Sequence, residues 1–147
     1  MVDIPTLDIE DYDPDLNEEP ESIEDKSGGA LTYAIVGAGQ GGGRMAKAFY
    51  DMGYTKTIAV NTARSDLNGL DIPEDQKFLV DEHGEQGAGK DQAKAEAAIE
   101  KKEQEVFNKF REVFGTNVDR IMICLGVSGG SGGGTVNTLI KVASILV

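Results

Sequence analysis

The sequence contains one cysteine, one histidine, no long apolar run and no cluster of basic residues. Each shortage removes a class of protein. A lone cysteine, Cys124, cannot form an internal disulfide, which points to a reducing compartment, the cytoplasm. Set in an apolar run, it reads as a small buried residue rather than a reactive thiol. His83 lies beside Asp81 and Glu82 with no second histidine or cysteine ligand, so it reads as a surface residue, not a metal ligand. No Ser-His-Asp or Cys-His set can be assembled either. No segment approaches the roughly 20 apolar residues of a membrane span, and an acidic start without an apolar stretch is unlike a secretory leader. Direct nucleic-acid binding is not expected, because neutralising phosphates takes clustered lysine and arginine.

Acid, in contrast, is plentiful. The net charge is −12 over 147 residues, and most of it lies in the first 29, which hold eleven acids against Lys26 alone. The remainder is close to neutral. With Pro5, Pro14 and Pro20 and only scattered apolar residues, residues 1–29 cannot bury enough surface to offset their ordering entropy, so a disordered acidic tail is expected. Asp11, Asp13 and Asp15 imitate the start of a calcium loop, but Leu16 replaces its glycine and Ser22 its bidentate glutamate. Ser27-Gly28-Gly29 reads as the linker into one domain, residues 30–147.

Within that domain the pattern alternates strand and helix. Leu31–Val36 reads as a buried strand and Met45–Met52 as a helix with Ala46, Phe49 and Tyr50 inward and Gly53 as its cap. Thr57–Val60 reads as the second strand and Lys77–Val80 as the third. The longest helical stretch runs from about Asp91 to Phe114, with Ile99, Val106, Phe110 and Val113 on one stripe and Phe107 and Phe114 beside it. Gly115 stops it. Ile121–Leu125 is the fourth strand, and Val136–Val147 begins a last helix whose apolar residues need cover. Strand–helix–strand units of this length predict an α/β, Rossmann-like parallel sheet with helices on both faces.

Two glycine runs sit on strand-to-helix turns. The first, Gly37-Ala38-Gly39-Gln40-Gly41-Gly42-Gly43-Arg44, fits the dinucleotide fingerprint. Glycines there allow close approach to a phosphate, and a helix N-terminus aims free N–H groups at it. No acid follows between Lys56 and Arg64 to hold a ribose hydroxyl, which disfavours a nicotinamide or flavin oxidoreductase. The second, Ser128-Gly129-Gly130-Ser131-Gly132-Gly133-Gly134-Thr135, joins an apolar strand directly to an apolar helix. That placement suits backbone amides against an anion, with Ser131 and Thr135 hydroxyls in reach, better than a linker. Gly84 to Lys90 nearly matches a P-loop, but Asp91 stands where a magnesium-binding hydroxyl is needed.

Together these pieces resemble the N-terminal, nucleotide-binding half of the tubulin/FtsZ superfamily, from about Thr32 onward. The second run is similar to the family's glycine-rich signature, with Ser131 at the usual threonine. The first loop, with Gln40 and Arg44, looks most like plasmid- and phage-encoded members. Asn61-Thr62 is similar to the family's Asn-Thr-Asp, with Ala63 replacing the aspartate. Gly87-Ala88-Gly89 looks like the loop that senses the terminal phosphate. The resemblance implies GTP/GDP binding with Mg2+, and filament assembly with hydrolysis at subunit interfaces. It implies that Gly37, Gly39, Gln40, Gly41 and Arg44 approach the phosphates from one side and Gly129, Gly130, Ser131, Gly132, Gly133 and Gly134 from the other. Asn61 would meet the ribose or a metal-bound water, and Gly87, Ala88 and Gly89 the γ-phosphate. The family's base-reading helix and water-activating acidic loop come later than Val147. Weak binding and little hydrolysis are therefore expected of this stretch alone, which could instead act as a nonenzymatic regulator of a full-length homologue's filaments.

Overall fold

The computed structural model describes residues 24, 26, 28–80, 92–126 and 130–147. Four strands, β1 (Tyr33–Ala38), β2 (Thr57–Asn61), β3 (Lys77–Leu79) and β4 (Arg120–Leu125), form one sheet in the order β3-β2-β1-β4. Every pairing is parallel. The helices among the described residues are α1 (Gly39–Asp51), α2 (Arg64–Asn68), α3 (Gln92–Glu100), α4 (Glu103–Phe114) and α5 (Gly130–Leu146). A 3-10 turn, Glu74–Gln76, leads into β3.

Alternation along the strands explains why both faces of the sheet are covered. Ala34, Val36, Ala38, Ile58 and Val60 point into the larger core, against Ile99 of α3, Val106, Phe110 and Phe114 of α4, and Leu139 and Val142 of α5. Ile35 and Cys124 point the other way, against Ala46 of α1, with Tyr33, Phe49 and Tyr54 packed around them. Ala59 meets Leu67 of α2 and Ile72. The expected stripe from Ile99 to Phe114 is buried throughout.

Several boundaries differ from the sequence expectation, each for a local reason. β1 begins two residues late because Thr32 is tied below the sheet: its N–H donates to Asp119 Oδ2 at 2.6 Å and its carbonyl accepts from the Asp119 N–H at 2.9 Å. β1 also ends later, since Gly37 and Ala38 continue the ladder opposite Cys124 and Leu125. The expected single helix up to Phe114 is two. Lys102, with ψ near zero, interrupts it, and its N–H bonds to the Ile99 carbonyl instead of continuing the regular pattern. Apolar spacing could not show this, because Ile99 and Val106 are seven residues apart, two helical turns in an unbroken helix.

Two buried polar side chains fasten the lower end of the sheet. The Lys56 ammonium donates to the Phe114 carbonyl at 3.1 Å, at the C-terminus of α4, where a positive charge meets the negative end of the helix dipole. Gln76 donates to the carbonyls of Thr55 and Thr57 at 2.7 and 2.8 Å, pinning the 3-10 turn to β2. The fold's contacts reach back to Glu24 and Lys26: the Lys26 N–H bonds to the Gly53 carbonyl at 3.0 Å, and the Thr55 hydroxyl donates to the Glu24 carbonyl. Most of the expected acidic tail lies outside the described residues. On the far side of β4, a groove of about 440 Å³ is lined by Arg120, Ile121, Ile123, Ile140, Ala143, Ser144 and Val147. Ile140 of α5 and Val147 just after it stay about half exposed.

Candidate functional site

The C-terminal ends of the strands meet at one level. Ala38 is in register with Val60 on one side and Leu125 on the other. The chain leaves β1 toward β2 in one direction and reaches β4 in the other, so the β1–β4 boundary is the topological switch point, where open α/β sheets bind ligands.

On the β1 side no loop intervenes. The sequence suggested a glycine turn through Arg44 and a helix from Met45; instead Gly39, at φ +75°, turns the chain and α1 starts at once. Only glycine takes that backbone conformation without strain. Ala38 supplies no side-chain cap and the first turn holds no acid, so the opening N–H groups of α1 remain available to an anion. Gln40, Gly41 and Arg44 are exposed, whereas Gly37 and Gly39 are buried. Gly37 serves packing: a Cβ there would lie 2.4 Å from the Gly42 carbonyl oxygen and 2.6 Å from the Ala46 Cβ. Gly42 is packed as tightly on the other strand, its Cβ position 2.2 Å from the Cys124 carbonyl oxygen.

On the β4 side the run also becomes helix. α5 starts at Gly130, six residues before the expected Val136, again with no acid in its first turn. Gly130, Ser131, Gly132, Gly133 and Gly134 therefore lie on its opening turns. Gly129 lies outside the described residues, as do Gly87, Ala88 and Gly89. Thr135, whose hydroxyl the sequence offered to the same anion, is fully buried within α5. The glycines of α5 are used against a neighbour: at Gly134 a Cβ would lie 2.4 Å from the Gln92 carbonyl oxygen and 2.6 Å from the Ala95 Cβ of α3. The first glycine run lies close to the chain at the exit of β4. A Cβ on Gly41 would sit 3.8 Å from the Gly126 Cα and 3.9 Å from its nitrogen, so the start of α1 faces the chain leaving β4.

At the end of β2, Asn61 is buried and already engaged. Its Oδ1 accepts from the Ala63 N–H at 2.9 Å, and its Nδ2 donates to Asp66 Oδ2 at 3.2 Å. The carboxamide holds the turn, and the group it steadies is a half-buried carboxylate. Asp66 was missed because the search for an acid stopped at Arg64, two residues short. The usable signal was the asparagine, a residue type that folds the backbone onto its own side chain. Beneath the site, burial pushes the Cys124 thiol pKa up, which keeps it neutral and unreactive. Among the described residues no group of three histidine, cysteine or acidic side chains could hold a metal ion. Among them, too, no helix is long and apolar enough to cross a membrane.

Comparison with known proteins adds three findings. Residues 32–146 match the model of the Tubulin/FtsZ family, GTPase domain. Tubulin-like protein CetZ1 of Haloferax volcanii is 30% identical over 121 residues, covering 76% of this chain and 31% of that protein; tubulin-like protein CetZ of Pyrococcus abyssi is 33% identical over 104 residues, covering 68% and 28%. Among solved structures, the GDP-bound monomer of Haloferax volcanii CetZ1 superposes with a TM-score of 0.72 at 29% identity, over 80% of this chain and 38% of that one. The GTPγS-bound protofilament of CetZ2 from the same organism gives 0.67 at 26%, over 78% and 36%. The chain thus spans about a third of the length of the curated relatives it matches.

Proposed function

This chain belongs to the tubulin/FtsZ family, and from that premise we propose that it binds the phosphates of a guanine nucleotide at the β1–β4 switch point. The observation that carries the reading is the approach of Gly41, in the first turn of α1, to Gly126, where the chain leaves β4 at the end of a parallel sheet and heads for the second glycine run. The first turns of α1 and α5 both lack acids, which suits polyanion binding through backbone amides. Gly39, Gln40, Gly41 and Arg44 serve the site from α1, with the Arg44 guanidinium as the charged partner. Gly130, Ser131 and Gly132 serve it from the first turn of α5, and Gly129 and residues 87–89 complete it. Gly37, Gly133 and Gly134 hold the helices where the site needs them. A magnesium ion would accompany the nucleotide; it keeps waters and binds through one or two carboxylates together with phosphate oxygens. Asp66, steadied by Asn61, is the carboxylate for that role.

The structures named above include a nucleotide-bound protofilament. Self-association into filaments, with GTP hydrolysis at the subunit interfaces, is the corresponding proposal for the protein to which this sequence belongs. Titrating the chain into a fluescent-labelled GTP analogue and following anisotropy tests the binding step. Saturable binding that unlabelled GTP reverses, and that reduced nicotinamide dinucleotide does not, supports it. Tighter binding of the dinucleotide, or no saturation with GTP, overturns it.

A further inference from the structure

We propose that Gln92 is a further binding residue of this site: its carboxamide, seated on Gly133, donates a hydrogen bond to the anion held at the start of α5. The inference rests on the reading of that end of the sheet as a nucleotide-phosphate site. Gln92 opens α3 and lies against the opening turns of α5. A Cβ built on Gly133 would fall 2.6 Å from Gln92 Nε2 and 2.9 Å from its Cδ. The carboxamide therefore occupies the space that a side chain at position 133 would take. At the next residue the backbones themselves touch, since a Cβ on Gly134 would fall 2.4 Å from the Gln92 main-chain oxygen. Gly134 fixes where residue 92 stands, and Gly133 leaves room for its side chain.

A glutamine on an exposed first helical turn ordinarily samples several rotamers and belongs to no particular place. Here a seat made by two consecutive glycines holds it, and the residue is exposed on its remaining side. A carboxamide brings N–H donors without a charge. It can therefore supplement the backbone amides of α5 from a neighbouring helix and add a side-chain contact to an anion that main-chain groups otherwise hold.

The test compares Gln92→Ala, Gln92→Glu, Gly133→Ala and the double variant Gln92→Ala/Gly133→Ala in the whole chain. The readouts are affinity for a fluorescent GTPγS analogue with magnesium and the melting temperature without nucleotide. Losing a hydrogen bond to a charged group predicts about tenfold weaker binding for Gln92→Ala. Gln92→Glu keeps the shape and the seat but presents a carboxylate to the phosphates, so it binds more weakly still; a residue that only packed would tolerate this change. Gly133→Ala evicts the carboxamide, a displaceable side-chain end, and so matches Gln92→Ala. The double variant is no worse than either single one, because both remove the same contact. Binding by Gln92→Ala and Gln92→Glu within about twofold of the parent, or additive losses in the double variant, would overturn the proposal. If the parent chain itself shows no saturable binding, the nucleotide reading fails first; if it binds and the Gln92 variants match it, only this inference fails.

Discussion

Adding one methyl group at Gly42 should cost far more than adding one at Gly41, its neighbour in the same helix. At Gly42 the new Cβ falls 2.2 Å from the Cys124 carbonyl oxygen and 3.0 Å from the carbonyl carbon. Unstrained carbon–oxygen contacts lie at about 3.3 Å or more, so α1 must withdraw from β4 by about 1 Å. The obstructing atoms are strand backbone, which no rotamer change can move. Overpacking of this kind costs about 3 kcal/mol at the upper end of its range, against about 1 kcal/mol gained by alanine over glycine within a helix. The expected net loss is about 2 kcal/mol, or a fall in Tm of roughly 6–8 °C for a domain of this size. At Gly41 the nearest atom to the added Cβ, outside its own helix turn, is 3.8 Å away, so Gly41→Ala should keep the helix gain and stabilise the chain by about 0.5–1 kcal/mol. That methyl group intrudes instead on the space assigned to the phosphates, so nucleotide affinity should fall while stability rises. Urea unfolding followed by far-ultraviolet circular dichroism measures the difference in a chain that has no tryptophan. Equal midpoints for the two variants would refute the packing of α1 on β4 described above.

Other positions give independent checks. Lys56→Met keeps the aliphatic stem but removes the ammonium from the Phe114 carbonyl, and should lower stability by about 1–2 kcal/mol, read as a lower urea midpoint. Cys124 has its pKa raised by burial, so the folded state holds the thiol proton to higher pH than the unfolded state does. Stability from this group is therefore intact below the thiol's ordinary range of about 8.5 and declines above it; Cys124→Ala should flatten that decline in a pH series of urea midpoints. Asn61→Ala frees both the Ala63 N–H and the Asp66 carboxylate, and should cost about 1–2 kcal/mol of stability and weaken the magnesium dependence of nucleotide binding. Asp66→Asn should weaken that magnesium dependence while sparing most of the stability.

The sheet was legible because its strands are short apolar runs bounded by glycine, asparagine and charged residues. Both helix faces of the larger core were legible because Ile99, Val106, Phe110 and Val113 keep helical spacing. What glycine does in each run was not. As a composition, Gly130 to Gly134 reads as loop, since each glycine weakens a helix. The cost is offset by the close crossing of α3, visible only once Gln92 and Ala95 are seen above Gly133 and Gly134. Gly37 likewise looked like a phosphate contact but is packed against Gly42 and Ala46 of α1, and Gly42 is where α1 touches β4. α2 escaped notice because five residues carry no periodic signal, and with it Asp66, whose placement depends on a hydrogen bond from Asn61. The family resemblance survived these local differences because it rested on the order of several motifs. The listing of plasmid- and phage-type features in the first loop did not single out those members, since archaeal CetZ proteins also match the chain.

Backbone amide chemical shifts of the isotopically labelled chain, recorded while GTPγS and magnesium are added, test the central claim most directly. The account predicts saturable shifts at Gly39–Arg44, at Gly126 and on the first turns of α5. Saturable binding that leaves those residues unmoved and shifts the groove of Arg120, Ile123 and Val147 would contradict it.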